Sequence, residues 1–151
     1  ETLWLEITET TVLDQPDKAE ERIAKLRALG AEVCVDDFGI GYSSLGYLQR
    51  FPFSVIKLDR VFLADGDNRN EAIIEAMLTL ADGLGMGVVA EGIETPEQAA
   101  LLERLGCELA QGYFFAKPMP FDEAVALVRR SAQLLTMRED TTTPRGSNEL
   151  T

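Results

Sequence analysis

Residues 32–45 read Glu-Val-Cys-Val-Asp-Asp-Phe-Gly-Ile-Gly-Tyr-Ser-Ser-Leu, and the order of chemistry within them sets the fold class. Glu32 to Asp36 is a short run rich in valine, which suits a strand. Asp36 and Asp37 end it, Gly39 and Gly41 let the chain turn freely, and a short helix is expected from Ser44 to Gln49. Strand, turn and helix with so little between them make one βα unit. Side chains alternate faces along a strand, so Asp36 and Asp37 reach a common site only if the chain turns at Asp37. Gly39-Ile40-Gly41-Tyr42-Ser43-Ser44 begins like the dinucleotide fingerprint GxGxxG and ends in serine where glycine is needed. Backbone N–H groups at Ser43 and Ser44 could meet an anion, and a tight βα turn with capping serines explains the loop as well.

The same unit recurs on both sides. Upstream, Leu3 to Thr8 is strand-like, and a helix is expected from Lys18 to Leu29. Asp17 would cap it, with Glu20 three residues on, Ile23 and Leu26 on the buried stripe, and Gly30 as the stop. Downstream, Pro52 leads into a strand from Ser54 to Asp59. Asn70 opens a long helix with Ile73, Ile74, Met77, Leu78, Ala81 and Leu84 at helical spacing, closed by Gly85. Gly87 to Glu91 is a fourth strand, and Thr95-Pro96-Glu97-Gln98 is a capping box with proline in the first turn. Glu108 to Tyr113 is a fifth strand, followed by a helix from Phe121 to about Leu135 with Val125, Leu127 and Val128 apolar. Five βα units with short connections imply a parallel α/β sheet covered by helices. An open doubly wound sheet and a (β/α)8 barrel both satisfy the pattern. A barrel needs about 250 residues, so this chain would be its C-terminal part, lacking the first strands. Residues 1–136 are then expected to form that part, and the polar residues 137–151 a disordered tail.

Composition narrows the chemistry. Of 151 residues, 26 are acidic and 14 basic, none is histidine, and the net charge is −12. That balance argues against coating a DNA or RNA polymer through a basic surface. Without histidine, Ser-His-Asp and Cys-His catalysis and the usual zinc sites are excluded. Any metal must be held by carboxylates and amides, which favours magnesium, manganese or calcium. Cys34 and Cys107 form no CxxC pair, so both are expected in the core and the compartment to be reducing. No apolar run approaches the ~18 residues of a membrane span, and no signal peptide is visible. The chain opens almost directly on a strand, as a piece cut from something longer would.

Polar groups collect where the strands end. Glu6, Thr8 and Glu9 close the first strand, Asp36-Asp37 the second, Lys57 and Asp59 the third, Glu91 and Glu94 the fourth, and Gln111 the fifth. Parallel barrels and open sheets both place their active sites at this end. One acidic residue after a strand means only that polarity begins there; five strands in a row say more. Glu6 lies between Leu5 and Ile7, and Lys57 between Ile56 and Leu58, so both need partners when desolvated. Converging carboxylates repel unless cations sit between them, and divalent metals meet that need. Val35, Val55 and Val89 are expected to point into the interior beneath.

Leu5-Glu6-Ile7-Thr8-Glu9, Asp36 to Leu45, Ile56-Lys57-Leu58-Asp59, Ala90-Glu91-Gly92-Ile93-Glu94-Thr95 and Gln111-Gly112-Tyr113-Phe114-Phe115-Ala116-Lys117-Pro118 resemble, in order, the signature blocks of the EAL-domain family of bacterial cyclic di-GMP phosphodiesterases. The resemblance runs from about Leu3 to Leu135. It implies a TIM-type barrel that linearises cyclic di-GMP to pGpG with two Mg2+ or Mn2+ ions. It further implies Glu6 as a ligand of the first metal, Asp36 as the carboxylate bridging both, and Asp37 and Glu91 as ligands of the second. Lys57 matches the lysine that orients or activates the attacking water, and Asp59 the acidic residue beside it. Gln111 matches the glutamine near the first metal and the phosphate, Glu9 the anchor of the glycine-rich loop, and Glu94 a supporting residue.

Two departures stand out. The family's Glu-Ala-Leu glutamate and an asparagine ligand are expected upstream of Glu1, so this chain alone is expected to be inactive. Ile40 replaces the threonine usual in the loop that links metal ligation to dimerisation. The resemblance also implies a homodimer, a cytoplasmic location or the cytoplasmic face of a membrane-anchored parent, and a parent that carries sensor, cyclase or membrane domains. The rival functions are a silent cyclic di-GMP receptor or protein-interaction module, and an unrelated magnesium-dependent barrel enzyme that acts on a carboxylate through Lys57.

Overall fold

A computed structural model of the chain describes residues 3–39, 45–64 and 68–140. Five parallel strands, β1 (Trp4–Thr8), β2 (Glu32–Phe38), β3 (Val55–Leu58), β4 (Gly87–Ala90) and β5 (Leu109–Ala110), pair in sequence order, β1-β2-β3-β4-β5. That order distinguishes the two candidate architectures. A doubly wound sheet reverses direction at its switch point, whereas a barrel adds each strand on the same side as the last. The packing agrees. Val33 and Val35 of β2, Ile56 and Leu58 of β3, and Val88 and Ala90 of β4 share one core with Val12, Ile23, Leu48, Ile74, Met77, Ala81 and Leu102 from the helices. Cys34, Val55 and Val89 form a separate small cluster made of strand residues alone. Helices therefore cover one face of the sheet, and the other is the inner wall of a partial barrel.

Val35 corrects an expectation: it lies on the helix side, and Cys34 takes the inner position with Val55 and Val89. The register shows why. Glu6 pairs with Cys34, and Cys34 with Val55, so the inner row follows Cys34 and its neighbour Val35 must face outward. Both cysteines are buried and free.

Helices α1 (Glu9–Asp14), α2 (Pro16–Ala28), α3 (Leu45–Arg50), α4 (Asn68–Leu84) and α5 (Pro96–Leu105) connect or follow the strands. The first is absent from the sequence reading. Six residues with two threonines do not make a stable helix alone, and Val12, 2% exposed, anchors this one in the core. Burying that side chain contributes roughly 1.5–2 kcal/mol. α2 begins at Pro16 with Gln15 as its N-cap, so Asp17 lies inside the first turn and is not the cap. Its carboxylate instead takes part in an exposed cluster with Arg50 of α3, which also meets Glu20 at 2.8 Å. Thr95 and Gln98 form the full capping box of α5, and Gly106 closes that helix in the left-handed region. A turn of 3-10 helix, Arg60–Leu63, follows β3 and was not foreseen.

The described residues divide into two compact units between Ala116 and Lys117. The second contains α6 (Phe121–Asp140), which is longer than the Phe121–Leu135 expected and takes in residues 137–140 of the expected tail. Residues 141–151 lie outside the described residues. Among the described residues no helix is long and apolar enough to cross a membrane.

Candidate functional site

Lys57 is the only buried charged residue described, at 6% exposure, and its ammonium sits among carboxylates from three other strand ends. Nζ lies 2.9 Å from Glu6 Oε2, 3.2 Å from Asp36 Oδ1 and 2.6 Å from Glu91 Oε1. β1, β2 and β4 thus each send one carboxylate to a lysine on β3, as expected of charges set between apolar neighbours in strands. Gln111, just past β5, adds the fifth strand: its Nε2 donates to Glu91 Oε1 at 2.5 Å. Glu91 Oε1 accordingly accepts from both Lys57 and Gln111. Burial would push the Lys57 ammonium down, but its pairing with the carboxylates of Glu91, Glu6 and Asp36 outweighs that and holds the group above the ordinary lysine value. The lysine is therefore a fixed positive charge at neutral pH.

Asp37 does not join this ring. The strand runs on through Phe38, and the β2–β3 register shifts between Val35 and Phe38. Asp37 has φ of 55°, left-handed and rare outside glycine, and is exposed. The chain thus turns inside the strand, as a bulge at Asp37 two residues before Gly39, and leaves the Asp37 side chain outside the ring. Asp59 also stands apart from the ammonium. Its Oδ1 accepts the Val61 N–H at 2.8 Å and caps the 3-10 turn after β3. Glu9 opens α1 and is partly buried, and Glu94 is exposed, its N–H donating to Gln98 Oε1 at 2.8 Å. Gly39 follows β2 with φ of 92°. Ile40, Gly41, Ser43 and Ser44 lie outside the described residues.

Two features bear on a metal. Three carboxylates around one ammonium leave a formal excess of two negative charges, which a divalent cation would balance. Asp36 Oδ1 is shut off from solvent and makes no hydrogen bond, although the ammonium is near, so its lone pairs are unspent. The donors are hard oxygens, as magnesium, manganese and calcium prefer. In this arrangement, however, the carboxylates gather on Lys57 and not on each other. Among the described residues no three Cys, Asp or Glu groups are placed to hold an ion without rearranging.

Gly92, which follows Glu91, and Gly112, which follows Gln111, lie within the blocks that carry the resemblance, but the sequence assigns them no role.

Comparison with known proteins adds the family. The family model for the EAL domain matches residues 1–118. The cyclic di-GMP phosphodiesterase RocR of Pseudomonas aeruginosa is 46% identical over 121 residues, which are 79% of this chain and 31% of that protein. The structure of the PaMucR phosphodiesterase in complex with c-di-GMP superposes with a TM-score of 0.75 at 42% identity, covering 81% of this chain and 50% of that one. The manganese and cyclic di-GMP complex of Klebsiella pneumoniae BlrP1 gives a TM-score of 0.72 at 37% identity, covering 76% and 30%. The chain spans less than half the length of the curated relatives it matches, 17% in an uncharacterised protein of Azorhizobium caulinodans.

Proposed function

Because the chain belongs to the EAL domain family, we propose that the protein carrying it hydrolyses cyclic di-GMP to pGpG with divalent metal ions. The observation that supports this most is the convergence of Glu6, Asp36, Lys57, Glu91 and Gln111 from five successive strand ends. Glu6, Asp36, Asp37 and Glu91 are the residues that would hold two Mg2+ or Mn2+ ions, with Asp36 shared between them. Bound there, such ions supply charge to neutralise the phosphodiester and to acidify a water molecule.

The side chains divide the remaining work. Lys57, kept protonated by its carboxylates, is suited to orient a water or a phosphate oxygen by donating hydrogen bonds, and unsuited to accept a proton. Gln111 holds Glu91 by one oxygen and leaves the other for a ligand. Asp59 supports the site by capping the turn that follows Lys57's strand, Glu9 opens the helix after β1, and Glu94 lies on the loop after β4. Ammonium donors and metals together explain how a chain of net charge −12 would accept an anionic dinucleotide. Dimerisation and a cytoplasmic setting belong to the same family reading.

A receptor that binds cyclic di-GMP without turnover is the second reading, supported by the way Lys57 already compensates the carboxylates. Incubating the full-length protein with cyclic di-GMP and Mg2+ or Mn2+, and following pGpG by chromatography, separates the two. Metal-dependent pGpG is expected; tight binding with no product would establish the receptor. Asp36→Asn should lose more turnover than Asp37→Asn or Lys57→Ala, because a shared ligand serves both ions. Near-normal turnover in Asp36→Asn would overturn the ligand assignment.

A further inference from the structure

We propose that Gly92 and Gly112 are positioning residues of the Lys57 site, their missing side chains letting the segments after β3, β4 and β5 close on one another so that Gln111 holds Glu91 against the ammonium. The inference rests on the functional reading above for its effect on turnover, and on geometry for the rest.

Gly112 is the stronger case. A Cβ there would lie 2.2 Å from both the N and the O of Ile93 and 2.7 Å from its carbonyl carbon. Those are backbone atoms, so no side chain can swing aside. They are also pinned: the Ile93 N–H donates to Gln111 O at 3.1 Å, and the Phe114 N–H to Ile93 O at 2.9 Å. Gly112 is not among the residues with positive φ, so the demand at this position is for space alone. The two chain segments that touch here each carry a site residue immediately before the glycine. Glu91 precedes Gly92, and Gln111 precedes Gly112. Glu91 is fixed by its N–H on Leu58 O at 2.9 Å, and Gln111 by its N–H on Ala90 O at 2.8 Å. The side chains of these two residues then meet at 2.5 Å. A methyl at Gly112 would part the segments by more than a hydrogen bond tolerates.

Gly92 makes the corresponding contact on the other side. Its φ is +67°, and a Cβ would lie 2.6 Å from the Cβ of Arg60, in the turn that Asp59 caps. The residue after Glu91 is thus pressed against the loop of β3, and the residue after Gln111 against the loop of β4. Outer contacts of this kind fix the side chains that touch a ligand.

The test is NMR of the Lys57 ammonium in 15N-labelled full-length protein, assigned by its loss in Lys57→Met. An ammonium paired with three carboxylates exchanges slowly and should give a distinct signal; its absence from the wild type would overturn the proposal. Gly112→Ala and Gln111→Ala should each shift the signal or broaden it away, and each should lower cyclic di-GMP turnover by about 10–100-fold with KM little changed. Gly106→Ala is the control. Gly106 has φ of +81° with nothing near its Cβ position, so the substitution lowers stability through backbone strain and should leave the Lys57 signal in place. Should Gly112→Ala not fold, Gly92→Ala carries the same test, and adding Arg60→Gly should restore the signal by removing the clash. A folded Gly112→Ala protein with an unmoved Lys57 signal, equal loss in Gly106→Ala, or no rescue by Arg60→Gly would each overturn the proposal. A wild type that makes no pGpG while the signals behave as stated would sink the functional reading and leave the positioning role standing.

Discussion

At the scale of the residue, Lys57 illustrates how a buried charge is retained. Its side chain is 8% exposed, against 52% for Glu6, 23% for Asp36 and 19% for Glu91. The carboxylates keep partial access to water while the ammonium depends on them, so removing the lysine leaves three like charges facing one another. Lys57→Met should cost about 2–4 kcal/mol in EDTA, below the full penalty for breaking a buried pair because Glu6 is half-exposed. Urea unfolding with and without Mn2+ checks this: a lower midpoint in EDTA, partly recovered with the metal, is expected. An unchanged midpoint in EDTA would mean that the carboxylates do not need the ammonium. Glu6 and Lys57 were legible in the sequence because a charge flanked by apolar strand residues has few places to go. The turn at Asp37 was legible as the condition for two adjacent aspartates to share a site, whereas the close approach at Gly112 was not, since it depends on Ile93 in another loop.

At the scale of the element, two devices of similar appearance should differ in weight. Thr95 Oγ1 accepts the Gln98 N–H at 3.3 Å, and Gln98 Oε1 accepts the Thr95 N–H at 3.2 Å. Gln98 Nε2 also donates to Leu63 O at 3.2 Å, which ties the start of α5 to the turn after β3. Arg50 joins α3 to α2 through Glu20 and Asp17, but Arg50 and Asp17 are exposed and Glu20 is only half-buried. Thr95→Ala should therefore cost about 1 kcal/mol and Arg50→Ala distinctly less, because its ion pairs are screened by water. Thermal unfolding of the two variants measures both, and a larger loss for Arg50→Ala would reverse the ranking. The start of α5 could be read directly, because threonine, proline and glutamine each act locally. Helix α1 and the 3-10 turn could not, because six and four residues carry too little periodicity and are stabilised by the core they touch. β5 shows the opposite error. Glu108 to Tyr113 reads as a strand, yet pairing is confined to Leu109–Ala110 because the chain turns at Gly112 to meet Ile93.

At the scale of the whole molecule, the inner wall of the sheet decides how the isolated 151-residue chain should behave. Among the described residues β1 pairs only with β2, and β5 only with β4, so each outer strand offers one side to solvent. Trp4 and Leu109 lie on the inner rows and are 45% and 46% exposed. An edge that combines free backbone groups with apolar side chains is a template for another strand. β1 is the more hazardous of the two, since it is five residues long and β5 only two. The isolated chain is therefore expected to self-associate as its concentration rises, and to turn over no cyclic di-GMP, because among the described residues no three carboxylates are placed to hold an ion without rearranging. Sedimentation velocity across a wide concentration range tests the first expectation, with Trp4→Lys as the probe of mechanism. A lysine on an exposed edge opposes strand addition, so this variant should stay monomeric at concentrations where the parent chain associates. If both proteins remain monomeric, the edge is not sticky. If both associate alike, another surface is responsible, and the inner wall of β1 is not what drives assembly.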